Sequence, residues 1–323
     1  MNRIRRLTLA GVATLPGALR AQGTDVPWPN RPVKIVVGFP PGQSSDIVGR
    51  TYAEELTKAL GQPFLVENRP GAGATMAAAF AARAEPDGYT VHFGTSGNLA
   101  VAPNLYKNLT YDALKDFEFV VLVGRSPLVL VVRSDSKVTN LKELLERSKT
   151  QALNYGSGGN GVVNHLAMEL VKKTSGAQLT HVPYKGSAPA LNDLLGGAID
   201  VMFDTSTVTL PLIKTGRLRP LAVTSATRME QLPDVPAMAE SLPGYEAVTW
   251  GMFTVPRGTP RPIVDRLAEK MVEIMRNPVV SEKLAVLGTF VTPDSTPAQA
   301  RAWAVAEHAK WGRIIQDAGV KID

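Results

Sequence analysis

The chain has 323 residues, 35 Lys and Arg against 29 Asp and Glu, 44% hydrophobic residues and no cysteine. That length exceeds one comfortable core and points to two domains, and the composition is that of an ordinary globular protein. The lack of cysteine excludes disulfides, thiol nucleophiles and thiolate metal sites, while the formal charge of +6 raises a nucleic-acid reading that turns on where the charge lies.

Much of it lies at the start. Met1-Asn2-Arg3-Ile4-Arg5-Arg6 precedes an apolar run from Leu7 to Leu19, and Arg20-Ala21-Gln22 follows. A basic start, a short apolar run and a small residue before a polar one make an export signal over residues 1–21. The run is well short of the roughly 20 residues that span a bilayer as a helix. Arg5-Arg6 leaves both the general and the twin-arginine route open. Removing the segment takes Arg3, Arg5, Arg6 and Arg20 and no acid, leaving 31 basic groups against 29 acidic ones. With those charges scattered and 6% aromatic residues, no nucleic-acid partner is expected.

Val33-Lys34-Ile35-Val36-Val37 reads as a strand followed by a turn rich in Pro and Gly. Val48, Tyr52, Leu56 and Leu60 then recur every four residues, a helical stripe, and Gly61 stands where a helix would stop. Strand-like runs continue at Phe64–Val66, Val91–Phe93, Phe119–Val123, Leu128–Val132, Thr180–Val182, Ile199–Phe203, Leu221–Val223 and Met252–Val255. Short apolar runs separated by helix-length segments argue for parallel strands covered on both faces. Pro262 to Asp317 reads almost entirely helical. The expected fold is α/β, with two doubly wound lobes.

Gly156-Ser157-Gly158-Gly159-Asn160-Gly161 fits G-x-G-x-x-G between an apolar stretch and a helical pattern, as a dinucleotide fingerprint does. That fingerprint also needs an acid about 20 residues on, and the stretch His181-Val182-Pro183-Tyr184-Lys185 has none. What survives is general physics: free N–H groups at a helix start attract an anion. Gly38-Phe39-Pro40-Pro41-Gly42-Gln43-Ser44-Ser45-Asp46 has the same design, and ligands of open α/β sheets sit at such carboxyl-end loops. An ordinary strand–helix turn explains that loop equally well, with Asp46 bracing it. Gly94-Thr95-Ser96-Gly97-Asn98 resembles a nucleophile elbow but has Asn98 where glycine is needed. His92, His165, His181 and His308 show no metal-ligand spacing, and only His165 lies beside a plausible pocket. Asp204 ends a strand where a site residue belongs, although a loop-bracing carboxylate would look the same. Two anion-ready loops without a clear catalytic group point to binding rather than turnover, with no cofactor and no metal expected.

Several segments resemble one family when taken in order. They are Phe39-Pro40-Pro41-Gly42 through Asp46 and Arg50, Glu67-Asn68-Arg69-Pro70-Gly71-Ala72-Gly73, and Pro86-Asp87-Gly88-Tyr89-Thr90. Tyr155 to Gly161, His165-Leu166, His181 to Gly186, Asp200 to Asp204, and Leu221 to Ser225 follow. Together they resemble the substrate-binding receptors of tripartite tricarboxylate transporters, the Bug family, from about residue 28 to the end.

The resemblance implies a periplasmic-binding-protein-like Venus flytrap. One lobe would hold residues 28–125 and 226–323, and the other 126–225. It implies a monomeric periplasmic receptor that captures a small organic carboxylate and meets the membrane subunits of a transporter. Phe39, Pro41, Gly42, Gln43 and Ser44 would line one wall, with Ser96 added; Ser157, Gly158, Asn160 and Asn164 would line the other, with Asp204 near the floor. Gln43 replaces the second of two usual glycines, Asn164 replaces a usual serine, and Ala74 replaces a usual glycine, the mildest of the three. A dinucleotide-dependent enzyme using the Gly156 loop, and a receptor presenting its ligand to a sensor kinase, are the alternatives.

Overall fold

The computed structural model describes residues 28–286 and 288–320; the expected export segment lies outside the described residues. The first half runs β1 (Val33–Val37), α1 (Ser44–Leu60), β2 (Phe64–Asn68), α2 (Thr75–Ala82), β3 (Thr90–Thr95) and α3 (Ala102–Leu105). The long β4 (Phe117–Arg133) and α4 (Leu141–Arg147) lead to β5 (Leu153–Ser157), α5 (Val163–Ser175), β6 (Leu179–Pro183), α6 (Ser187–Gly196), β7 (Val201–Thr205), α7 (Ser206–Lys214) and β8 (Leu218–Val223). The chain returns through β9 (Val248–Pro256) to α8 (Arg261–Arg276), α9 (Pro278–Val286), β10 (Phe290–Val291) and α10 (Pro297–Ala318).

The strands follow the order β2-β1-β3-β9-β4-β7-β5-β6, with β8 and β10 also on β4. Pairing is parallel within β2-β1-β3 and within β7-β5-β6, as the buried Val-rich runs predict. The middle departs from that expectation. β9 runs antiparallel to β3 and β4, and β4 runs antiparallel to β7, β8 and β10. An apolar run buried on both faces looks the same whichever way its neighbours point, so periodicity carries no direction.

The two runs Phe119–Val123 and Leu128–Val132 are one strand of 17 residues. Its first part, through Pro127, pairs with β9, and its second, from Leu128, pairs with β7 and β8. Pro127 has no N–H to donate and sits where the partners change. Through β4 the chain forms two α/β lobes that share one strand.

Three buried clusters hold this together. Tyr52, Leu56, Phe253, Leu267 and Met271 fill one face of the first lobe, and Val131, Leu194, Met202 and Leu210 one face of the second. The third cluster runs unbroken across both lobes, from Leu99 and Phe117 through Leu128 and Leu166 to Trp311 and Ile315 of α10. Each such large side chain contributes about 1.5–3 kcal/mol on burial, so this back face resists separation. The helix stripe predicted at Val48, Tyr52 and Leu56 is the buried face of α1, and Gly61 ends it at φ 71 with its N–H on Thr57 O.

Candidate ligand site between the two lobes

The parallel strands of both lobes end in loops that face one another. Ser44 Oγ, at the start of α1, lies 3.4 Å from Thr207 Oγ1 in the first turn of α7. Ser206 Oγ donates to Gly288 O at 2.9 Å, a second contact between the halves.

The first wall is built on Asp46. Its buried carboxylate accepts from Gly42 N at 2.8 Å, Arg50 Nε at 3.0 Å and Asn68 Nδ2 at 2.8 Å. Burial pushes its pKa up, but the bonds from Arg50, Gly42 and Asn68 outweigh this and hold it below the usual value. Asn68 also donates to Phe39 O at 2.9 Å, so one acid and one amide fix the whole turn. Gly42 adopts φ +82, which a side chain would strain. Gln43 has an extended φ of −80, so its side chain costs the backbone nothing and places an exposed amide at the rim. It supplies no cap to α1. Pro41 and Gly42 are exposed, while Phe39 and Ser44 are half-buried.

Ala74 is the substitution whose effect the sequence understates. It sits at φ 70, a left-handed conformation that costs a residue with Cβ roughly 1–2 kcal/mol. Its Cβ fills the space over Gly38, where a second Cβ would come within 2.3 Å. Ser96 is buried directly after β3. The mismatched Asn98 of the elbow-like segment proves to be a brace. Its Oδ1 accepts from Thr95 N at 2.8 Å, and its Nδ2 reaches Ala74 O at 3.3 Å and His92 Nε2 at 3.2 Å.

The second wall continues the β5–β6 pairing beyond the strands, with Tyr184 N on Ser157 O and Gly186 N on Gly158 O. A Cβ at Gly158 would lie 3.3 Å from Ser187 N, so glycine lets this loop meet the start of α6. Ser157 is fully buried. Its Oγ donates to Gly159 O at 2.9 Å and receives Gly159 N at 3.2 Å, with His181 Nε2 2.6 Å away. A hydroxyl has one hydrogen and two lone pairs, enough to satisfy Gly159 O, Gly159 N and the Nε2–H tautomer of His181 together. The serine thus ties the Gly159 turn to His181.

His181 stacks on His165 at 4.0 Å, and His165 Nδ1 accepts from Gly161 N at 3.0 Å. Burial, then the neighbouring His165, lowers the His181 pKa to about 4; burial also lowers His165. Asn160 is exposed at the loop tip, away from these partners.

Two buried acceptors on this wall make no hydrogen bond, Asn164 Oδ1 and Asp204 Oδ2. Asn164 is in the first turn of α5, and Asp204 lies near the carboxyl end of β7. Burial pushes the Asp204 pKa up to about 6, against Thr205 N–H, which donates to Oδ1 at 2.8 Å. The Ser187 hydroxyl lies nearby and favours the charged form without completing a bond to Oδ2. Asp200, at the other end of β7, instead accepts from Asn154 N at 2.7 Å and is exposed.

Four helices start here, α1, α5, α6 and α7, and none has a side-chain cap. Each leaves N–H donors open and carries a partial positive charge of roughly half a unit. Backbone dipoles thus supply the positive field. Ser187 and Thr207 were not anticipated as wall residues; the only signal was the Tyr184-Lys185-Gly186 turn before the first and the Asp204 strand end before the second. A concavity of about 760 Å³ elsewhere is lined by Met76, Asn104, Tyr106 and Tyr111 among others. No unpartnered buried side-chain atom among the described residues borders it, so volume alone distinguishes it.

Two α/β lobes around one shared strand, with open helix starts facing across the gap, define a periplasmic-binding-protein-like protein. Residues 48–320 match the profile of the tripartite tricarboxylate transporter family receptor, and the chain belongs to that family. The R. palustris protein Rpa4515, solved with adipate, is 35% identical with a TM-score of 0.85, over 91% of this chain and 99% of that one. The periplasmic binding protein BugD is 37% identical with a TM-score of 0.83, over 91% and 99%. MatC from Rhodopseudomonas palustris, with bound malate, is 32% identical with a TM-score of 0.81, over 89% and 100%.

Proposed function

We propose that the chain is an exported periplasmic receptor that captures a small organic carboxylate between its lobes and delivers it to the membrane subunits of a tripartite tricarboxylate-type transporter. The observation that carries this is the meeting of four uncapped helix starts with two buried, unpartnered polar side chains. The helix starts offer donors in fixed directions, which suits carboxylate oxygens, and the two side-chain acceptors are left for a donor of the ligand. The adipate and malate in the two related structures support the ligand class.

In this reading the lobes are residues 28–125 with 226–323, and 126–225, and the receptor acts as a monomer. The stretch just after β8 departs from this division, since Met229, Val235 and Ala237 join the core of the second lobe. Opening and closure pivot on the continuous core beside α10, and the Ser44–Thr207 contact is one that the closed arrangement makes. Ligand contacts better made in the closed state drive closure.

Thermal unfolding of the mature chain from residue 22, freed of ligand by unfolding and refolding, tests the proposal against carboxylates and dinucleotides. A carboxylate at about 100 times its Kd should add about 2.7 kcal/mol and raise Tm by a few degrees. A shift with NAD or FAD and none with carboxylates would overturn the reading in favour of an enzyme.

A further inference from the structure

The second wall presents two buried acceptors that no group of the chain satisfies. Asp204 is 3% exposed, Thr205 N–H holds Oδ1, the Ser187 hydroxyl stands nearby, and Oδ2 completes no bond. Among the described residues, no lysine or arginine offsets its charge. Asn164 Oδ1, in the first turn of α5, is a second unpartnered acceptor, and at 8% exposure it too is more than nine-tenths buried. Helix starts suited to an anion surround a carboxylate that would repel one. The conflict is resolved if the ligand brings its own donor to Asp204 while its carboxylate lies on the helix N-termini.

Resting on the receptor reading above, we infer that Asp204 selects carboxylates that also carry a hydroxyl or ammonium group, and discriminates against plain dicarboxylates. The chemistry is that of an ionised, desolvated acceptor waiting for a donor, and bonds to charged groups are the strong ones. Above pH 7 the carboxylate is mainly ionised despite its burial, since its pKa is raised only to about 6. Hydroxyl and ammonium ligands share this donor and are separated by measurement.

Titration calorimetry of the mature chain at pH 8, with succinate, malate and aspartate and the matched five-carbon series, tests the inference. At one chain length, the hydroxy or the amino acid should bind at least tenfold more tightly than the plain diacid. Asp204→Asn keeps the shape and can still accept from Thr205 N–H, and it should narrow that ratio to about threefold or less. Asn164→Leu, with Asp204 intact, should weaken all ligands yet keep the preference. A plain diacid binding as tightly as its substituted partners, or a preference unchanged in Asp204→Asn, overturns the inference while the receptor reading stands. No binding by any of these acids sinks both.

Discussion

The helix starts at the cleft differ from those of α4 and α10. α4 and α10 begin with side-chain caps: Asn140 accepts from Glu143 N, and Thr296 from Gln299 N, with Gln299 bonding back. α1, α5, α6 and α7 have none, although Gln43, Val162, Gly186 and Thr205 occupy their cap positions. The caps of α4 and α10 are worth about 1 kcal/mol each, whereas α8, also away from the cleft, starts after Pro260 with no side-chain cap. Where a ligand is to be bound, the donors stay open.

The largest expected effect sharpens the contrast through Asp204. Its folded pKa is raised, so the native state holds its proton more tightly than the unfolded chain, and stability from this group falls as pH rises from about 4 to 6. Buried His92 and His181, lowered to about 3 and about 4, act in the opposite sense over the same range. Urea unfolding of Asp204→Asn relative to wild type isolates the carboxylate. The variant should gain on the order of 3 kcal/mol relative to wild type between pH 4 and pH 7. A flat difference would mean that Asp204 is not desolvated in solution.

Next in size, Asn164→Leu should weaken carboxylate binding about tenfold or more through loss of its amide N–H donor, without lowering Tm, because the Oδ1 it removes has no partner in the free protein. Asn140→Ala at the capped α4 should do the reverse, losing about 1 kcal/mol of stability with affinity unchanged. Equal effects of the two on both measurements would break the comparison. The smallest effect belongs to Ala74→Gly. Relief of its left-handed backbone, partly offset by glycine's greater freedom, should raise stability by about 0.5 kcal/mol in denaturant unfolding.

Much of this was legible in the residues. The strands at Val33–Val37 and Thr180–Val182 and the stop at Gly61 follow from periodicity and glycine chemistry, and both ligand loops fall where such loops belong. Strand direction was not legible, because the apolar runs of β4 and β9 read alike either way up. Nor was the joining of Phe119–Val123 to Leu128–Val132, since Pro127 signals a break and is tolerated only where the pairing partner changes. Ser157 lies at the end of β5, where the loop begins, as its sequence position implies. Its part in holding the loop through His181 depends on a contact 24 residues away that no local pattern encodes. The same holds for Asn98, which joins β3 at Thr95 and His92 to Ala74 before α2.

The most direct test of an anion site made of backbone donors is to watch those donors. Amide ¹⁵N–¹H shifts of the mature chain should be followed during titration with malate. The largest changes should fall at Ser44–Asp46, Gly158–Asn164, Ser187–Ala188 and Ser206–Thr207. Changes confined to the concavity around Met76, Asn104 and Tyr111, with the four helix starts silent, would contradict it.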